Sequence, residues 1–577
     1  MPEEEQIDAY EAAQRALNLA LVCIKERRSF LMEAGAGSGK THTLTQVLAH
    51  IVAGEGTRLL QEGKRIACIT YTNVAADQIA LRIDHHPAVL TSTIHAFCWE
   101  MIEGFQAELR RLVLLLPKVL TKIEEAGGLP VRRVIYDLGH RRVGADSVHL
   151  HHDDVLALFA MLLANGKFRS ILKSRFPYIL IDEYQDTDAD LAAELQRRFW
   201  DTNEGPVFAL FGDHWQKIYG TGCGKVESEG LTFVPKHSNF RSVGKIVESL
   251  NRIRSELQQE VADPEKVGTV TVFHTNGWNG QRETRNPWQG DLPQAAGHSY
   301  LVAVKAYLES TGWDFSSRDS KILMLTHRVL ASEMGYQALL GVFDYNDSLT
   351  KKQDPHIEYF LDTVEPAIRA YEAGRYGEAM KFFSGKRSSI RTRADKEHWS
   401  SAMAALGEAR REGNVEEVLR CLRSRRIFHT PDKLVALATD LDSFTAEEIA
   451  ASSSHKHLRN LFAVRYTEVS AFFEFEQSHT PFATKHGVKG EGHENVLVVF
   501  GRGWNLYDFN KMLEQDRRHL TANEQATFER NRNLFYVVCS RAKTNMVLLF
   551  TQQLSPDALA TLQRWFGQEN VREAPTA

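Results

Sequence analysis

The sequence predicts an α/β fold with parallel sheets, and three stretches carry that prediction. Residues 28–33 (RSFLME) read as a short buried strand that leads into the glycine-rich AGAGSGKT (34–41). The following HTLTQVLAHIVA has its apolar positions at helical spacing. Residues 178–181 (YILI) form a continuous apolar run, the mark of a strand covered on both faces in a parallel sheet. Far downstream, residues 321–328 (KILMLTHR) supply another buried strand.

Composition bounds what such a fold can be. At 577 residues the chain exceeds one ordinary domain, and its 43% hydrophobic and 25% charged content is that of a globular protein with a large core. No apolar run reaches about eighteen residues, so no membrane partner is expected. The acidic start MPEEEQIDAY lacks the pattern of a secretory signal. Six scattered cysteines without a CxxC pair argue against a disulfide framework or zinc ribbon, so a cytoplasmic location is expected. The net charge of −5 does not by itself favour nucleic acid, although 385–396 and 408–426 are locally basic. Solvated helix faces account for such runs more often than binding sites do.

The glycine-rich loop has the chemistry of a phosphate cradle. Gly35, Gly37 and Gly39 let the backbone curl until successive N–H groups face one anion, at a helix N-terminus whose dipole favours negative charge. The predicted ATP cradle comprises Ala34, Gly35, Ala36, Gly37, Ser38, Gly39, Lys40, Thr41 and His42. Lys40 is expected to reach the β- and γ-phosphates, and Thr41 to offer its hydroxyl to Mg²⁺. Asp182 and Glu183 close the YILI strand at its carboxyl end, where open α/β sheets bind ligands. Asp182 would hold Mg²⁺ through its water shell, and Glu183 would orient and deprotonate the attacking water. A strand ending in two acids means little alone; downstream of this loop it carries weight.

Further segments follow in a fixed order: ACITYTNVAADQIALRI (67–83), TSTIHAFCWEMI (91–102), LIDEYQDTD (180–188), LFGDHWQKIYG (210–220) and SNFRS (238–242). FATKHGVKGEGHENVLVVFG (482–501) and NRNLFYVVCSRAKTNMVLLF (531–550) complete the set. In this order they resemble the motifs of the UvrD/Rep-like helicases of superfamily 1 over most of the chain. The resemblance implies strand contacts by Thr72, Asn73, Thr93, His95 and Phe97 in the first half, and by Thr484, His486 and Lys489 in the second. It implies that Gln216 senses the γ-phosphate, that Arg241 points at it, and that Arg541 is an arginine finger. Phe240 takes the adenine-stacking place usually held by tyrosine. Tyr219 matches a base-stacking position, and such stacking is worth about 1–3 kcal/mol per base. Gln14 is the candidate adenine reader, with Gln6 behind it. Glu491 and Glu494 both stand near the place of a ribose-contacting glutamate. Where relatives carry a second stacking aromatic, this chain has Thr221, with Trp215 nearby.

The same resemblance implies two RecA-like cores, each interrupted by a mainly helical insertion. The first core would take 1–95 with 168–245, and its insertion 96–167. The second would take 246–340 with 456–577, and its insertion 341–455. Within the latter, VEPAIRAYEAGRYGEAMKFF and SAMAALGEARREGNVEEVLRCL read as two similar helical hairpins. The implied activity is an ATP-dependent DNA helicase or translocase moving 3′ to 5′ on single-stranded DNA or a tailed duplex. A reading of a different class is a nucleotide-gated DNA-binding subunit that controls a partner nuclease. The length also fits an antiphage-defence member, such as the helicase partner in Gabija-like systems.

Overall fold

The structure is a computed structural model that describes residues 8–576 apart from 129–132, 138–140, 203, 218–219, 317–318, 325–326, 344–345, 351, 384–391, 426–429, 432–433, 435–444, 446–448, 450–451, 478–481, 485–489 and 502–506. The fold class is α/β with parallel sheets. The strands of the first half are β1 (Phe30–Ala34), β2 (Ile66–Thr70), β3 (Val89–Thr93), the short trio β4 (Arg133–Ile135), β5 (Arg142–Val143) and β6 (Ser147–His149), then β7 (Tyr178–Asp182), β8 (Val207–Gly212) and β9 (Thr232–Lys236). Six of them form one sheet in the order β3-β2-β7-β8-β1-β9. Every neighbouring pair in it is parallel.

The alternation of side chains along these strands divides the first core into two layers. Leu31, Ile69, Ile179, Ile181, Phe208 and Leu210 face a cluster filled by the insertion between β3 and β7. Phe30, Met32, Cys68, Leu180, Ala209 and Phe211 face the opposite layer, packed by the helices Ala9–Lys25 and Lys40–Gln61. A strand covered on both faces has no polar positions to alternate, which is why these segments read as unbroken apolar runs. The insertion is mainly helical but also carries a small three-stranded sheet, β4-β6-β5, that periodicity did not reveal. Its strands are two or three residues long, too short for an alternating pattern to show.

Two short parallel strands, β10 (Ser238–Asn239) and β11 (Glu260–Val261), follow the first sheet. A second six-stranded sheet is built from β12 (Thr269–His274), β13 (Ser320–Met324), β14 (Phe482–Thr484), β15 (His493–Phe500), β16 (Ala542–Phe550) and β17 (Val571–Glu573), in the order β14-β13-β15-β16-β12-β17. β13 is parallel to both β14 and β15. The described residues between β13 and β14 are mainly helical. It contains the hairpin Glu365–Glu372 with Tyr376–Phe383, and a second hairpin, Arg393–Glu412 with Val415–Arg425. A two-pronged ion pair joins these hairpins: Arg410 Nε and Nη2 donate to the Glu365 carboxylate at 3.0 and 2.6 Å.

By compactness the chain divides into two units. One comprises Met1–Val272, Asp508–Met546 and Ser555–Val571; the other comprises Phe273–Tyr507, Val547–Leu554 and Arg572–Ala577. The phosphate loop and Arg541 therefore belong to the same unit. Among the described residues, no single helix is long and apolar enough to cross a membrane.

The core of the first sheet gives a stability test. Phe211 is fully buried and meets Phe30 edge-on, with ring centroids 5.6 Å apart. Phe211→Ala is expected to cost about 3–5 kcal/mol in a urea titration; a loss below about 1 kcal/mol would contradict this packing.

Candidate active site

The phosphate loop is shaped by what lies behind it. Gly37 and Gly39 adopt left-handed φ values of 76° and 75°, conformations that glycine enters without strain. Gly37 also lacks room for a side chain, since a Cβ there would lie 2.7 Å from Arg241 Cβ and 2.8 Å from Asn239 Oδ1. The carbonyls of the loop are taken up from outside. Asn239 Nδ2 and Gln259 Nε2 both donate to Ala36 O, Ser238 Oγ donates to Ser38 O, and Phe240 N donates to Gly37 O. With its carbonyls occupied on that side, the loop is free to present N–H groups on the other. Helix Lys40–Gln61 begins at Gly39 without a side-chain cap, an N-terminus suited to an anion. Thr41 lies half-buried in its first turn, and His42 is exposed.

The carboxylates stand at the ends of neighbouring strands. Asp182 ends β7 and is buried, and Glu183 follows with a left-handed φ of 52°, an uncommon conformation for a residue with a side chain. That turn brings Glu183 Oε2 to 2.7 Å from Lys40 Nζ. Gln185 Nε2 donates to the same Glu183 oxygen at 2.5 Å, while Gln185 Oε1 accepts from Asp213 N at 3.1 Å. Gln185 thus fixes Glu183 against the end of β8. Burial alone would lower the Lys40 pKa, but Glu183 and then Asp182 outweigh it, so Lys40 stays protonated. A hydroxyl at Thr41 and a carboxylate at Asp182 make an oxygen donor set suited to Mg²⁺.

The two arginines belong to the same unit. Arg541 has no exposed surface; its Nε donates to Val537 O at 2.9 Å and its Nη2 to Ser540 Oγ at 3.0 Å and Gln216 Oε1 at 3.3 Å. Arg241 Nη1 donates to Ser540 O at 3.1 Å, and Ser242 Oγ to Ala542 O at 2.7 Å, so the 238–242 segment is tied to the one carrying Arg541. Burial and then repulsion from Arg241 depress the Arg541 pKa, while Glu183 draws it back. Two cations held together in this way favour an anion between them.

A buried charge network lies beneath, and most of it was not foreseen. Arg254, 1% exposed, donates from Nη1 to Asp213 Oδ1 at 2.6 Å and from Nη2 to Glu33 Oε1 at 2.8 Å. Glu33 Oε1 also meets His214 Nδ1 at 2.7 Å, and its Oε2 accepts from Tyr184 Oη at 2.7 Å. Gln216 Nε2 donates to Asp213 Oδ2 at 2.8 Å. Glu33, Asp213 and His214 have the residue types of a cation site. The Arg254 guanidinium already supplies their positive charge. A glutamate inside the apolar run SFLMEA was the one available signal, because a buried strand carries a charge only when a partner waits for it. The partner, 221 positions away at Arg254, has no local mark.

On the base side, Phe240 is 41% exposed beside Gly39 and packs edge-on against Tyr10, which is 65% exposed, at 5.2 Å. Tyr10 was not singled out from sequence. Gln14 is exposed on helix Ala9–Lys25 and donates to Asn18 Oδ1 at 2.8 Å; Gln6 lies outside the described residues. In the other unit, Glu491 lies 3.6 Å from His493 Nε2.

Of the expected strand contacts, Thr72 and Thr93 each cap a helix at a strand's carboxyl end, accepting from Ala75 N and Ala96 N. Asn73 is exposed beside Thr72. His95 is half-buried, and burial followed by His152 pushes its pKa down to about 4, so it is neutral near pH 7. Phe97 is 3% exposed and packs on Phe176 and Phe159, where it serves the core of the insertion. Trp215 is likewise buried, with Arg532 3.6 Å from its ring centroid, and offers no free face for a base. Tyr219, His486, Lys489 and the side chain of Thr484 lie outside the described residues.

The chain is similar to several known proteins. An AAA domain family matches residues 18–222. The chain is 21% identical to the Gabija protein GajB of Bacillus cereus (strain HuB5-5), over 96% of this chain and 97% of that protein. It is 24% identical to the ATP-dependent DNA helicase Rep of Escherichia coli (strain K12), over 38% of this chain and 40% of Rep. It is 26% identical to the ATP-dependent DNA helicase UvrD1 of Mycobacterium tuberculosis (strain ATCC 25618 / H37Rv), over 44% of this chain and 40% of UvrD1.

The network predicts an acid dependence of stability. Burial would raise the Glu33 pKa, but His214, Arg254 and Tyr184 outweigh it and hold it at about 2. A carboxyl depressed on folding adds stability that is present above its unfolded pKa of about 4.3 and fades as pH falls toward the folded value. The stability gap between wild type and Glu33→Gln should therefore be widest above about pH 5 and narrow on acidification. Urea titrations across that range that give a constant gap would refute it.

Proposed function

Because this chain belongs to the UvrD-like superfamily 1 helicases and is related to the Gabija protein GajB, we propose that it couples ATP hydrolysis to 3′-to-5′ movement on single-stranded DNA. The observation that carries this reading is the convergence on one glycine loop of Lys40, Glu183, Gln216, Arg241 and Arg541 within one compact unit. In this reading the loop's N–H groups and Lys40 bind the phosphates. Thr41 and Asp182 would hold Mg²⁺, which neutralises phosphate charge when bound. Glu183, aimed by its left-handed turn and by Gln185, orients the attacking water and takes its proton. Gln216 registers the γ-phosphate, and Arg241 and Arg541 stabilise the charge that develops on it. Phe240 with Tyr10 offers the adenine an aromatic edge. Thr72, Asn73 and Thr93, at helix N-termini, would hold phosphates of the strand. Loss of the γ-phosphate removes the anion that relieves the two arginines, and the motor would use that change as its step.

A second reading of a different class is a nucleotide-gated DNA-binding subunit controlling a partner nuclease. The two separate on one measurement. A motor hydrolyses ATP rapidly only with single-stranded DNA and unwinds a forked duplex bearing a 3′ tail; a gate hydrolyses slowly and leaves the fork intact.

Lys40→Ala and Glu183→Gln should each abolish turnover in a steady-state phosphate-release assay, with Glu183→Gln still retaining ATP on a filter. Arg541→Ala should lower kcat by about 10³–10⁵. Hydrolysis at the wild-type rate in any of the three would remove that residue from the mechanism.

A further inference from the structure

We propose that Arg254 is a positioning residue for hydrolysis: by pairing with Asp213 it sets which way the Gln216 amide faces, and through that amide where Arg541 sits. This rests on the reading of the loop as an ATP-hydrolysing site.

Gln216 lies between two groups of opposite hydrogen-bonding character. Its Nε2 is 2.8 Å from Asp213 Oδ2 and its Oε1 is 3.3 Å from Arg541 Nη2. An ionised carboxylate only accepts and a guanidinium only donates, so a single orientation of the amide satisfies both neighbours. The opposite orientation sets NH₂ against guanidinium and oxygen against carboxylate. The orientation therefore depends on Asp213 remaining a carboxylate.

Asp213 has every reason to take up a proton. It is fully buried, and burial and the nearby Glu33 both raise its pKa; Arg254 is the main opposing charge, helped by the Gln216 donor and by His214. Lys40, Arg541, Tyr184 and Tyr536 are the other titratable groups that sense Asp213. Arg254 is anchored at its far end by Glu33, two residues before Gly35 in β1. It is flanked by the rings of Trp215 and Tyr536 at 5.3 and 5.7 Å, and lies 3.4 Å from Glu256. One guanidinium thus links the strand that feeds the phosphate loop to the turn that carries Gln216. Without it, Asp213 binds a proton, its O–H donates to Gln216 Oε1, the amide turns over, and Nε2 faces the donors of Arg541.

The test is steady-state ATP hydrolysis by the full chain with saturating single-stranded DNA, between roughly pH 6 and 9. Active wild type and inactive Lys40→Ala establish the underlying reading; an inactive wild type would overturn that reading first. Arg254→Gln should lower kcat at neutral pH by about 10-fold or more, with KM for ATP changed less than about twofold. Its kcat should climb as pH rises and Asp213 regains its charge. Arg254→Lys, which keeps a positive charge beside Asp213 but cannot span both carboxylates, should recover part of kcat and keep the wild-type pH profile. Asp213→Asn must present Oδ1 to Arg254 and Nδ2 to Gln216, so it should show the same loss with no recovery at high pH. If Arg254→Gln does not fold, Arg254→Lys and Asp213→Asn decide the matter. Wild-type kcat in Arg254→Gln or Asp213→Asn would overturn the proposal. So would a pH-independent loss in Arg254→Gln, or an Arg254→Lys variant no better than it.

Discussion

A chain can offer a row of amide N–H groups to an anion only if the carbonyls of the same residues are satisfied somewhere else. Here that constraint is met by the short segment 238–242 together with Gln259. Ser238, Asn239 and Gln259, together with the Phe240 amide, take the carbonyls of Ala36, Gly37 and Ser38 from behind. The same segment carries Arg241, which reaches Ser540 beside Arg541. The backing of the loop and the link to its arginines are therefore one structure, and a shift of either is felt by the other. Gly35 and Gly37 are needed for this backing as much as for the curl, because any side chain on them would strike Gln259 or Asn239.

Charge is handled in two layers. At the surface of the loop, Lys40 and Glu183 pair directly, and Arg241 and Arg541 sit close enough to repel each other. Beneath them Arg254 neutralises Glu33 and Asp213 without reaching solvent. A buried pair of this kind contributes little net stability against an apolar substitute, but it specifies one arrangement of its neighbours, and losing one partner alone is costly. That asymmetry fits a network whose use is geometric. It also explains why the residues that would touch phosphate can stay cationic while packed in the interior: their counter-charges are built into the adjoining strand ends.

The fold class was legible because burial on both faces leaves its mark on each strand separately; YILI and KILM need no partner to be read as buried strands. The phosphate loop was legible for a related reason, since its strand, turn and helix are contiguous. What could not be read were features made by residues distant in sequence or too short to form a pattern. The three-stranded sheet within the first insertion rests on strands of two or three residues. Arg254 looks like any helix-terminal arginine until Glu33 and Asp213 are seen on either side of it. Phe97 shows the converse. A motif suggested an outward role, whereas the rings of Phe159 and Phe176 hold it inside, and no local feature distinguishes a buried aromatic from a displayed one. Tyr10 went unmarked because a single tyrosine near the start of an amphipathic helix has no signature until Phe240 is placed against it.

The pairing of Phe240 with Tyr10 has a bearing on fuel choice. A purine gripped by ring edges and faces is held mainly by contact area, and adenine and guanine offer nearly the same area. The Gln14 amide, the expected adenine reader, is turned toward Asn18 on its own helix. If the loop binds a nucleotide as proposed, these rings would hold its base by contact area, and the Gln14 amide, committed to Asn18, would take no part.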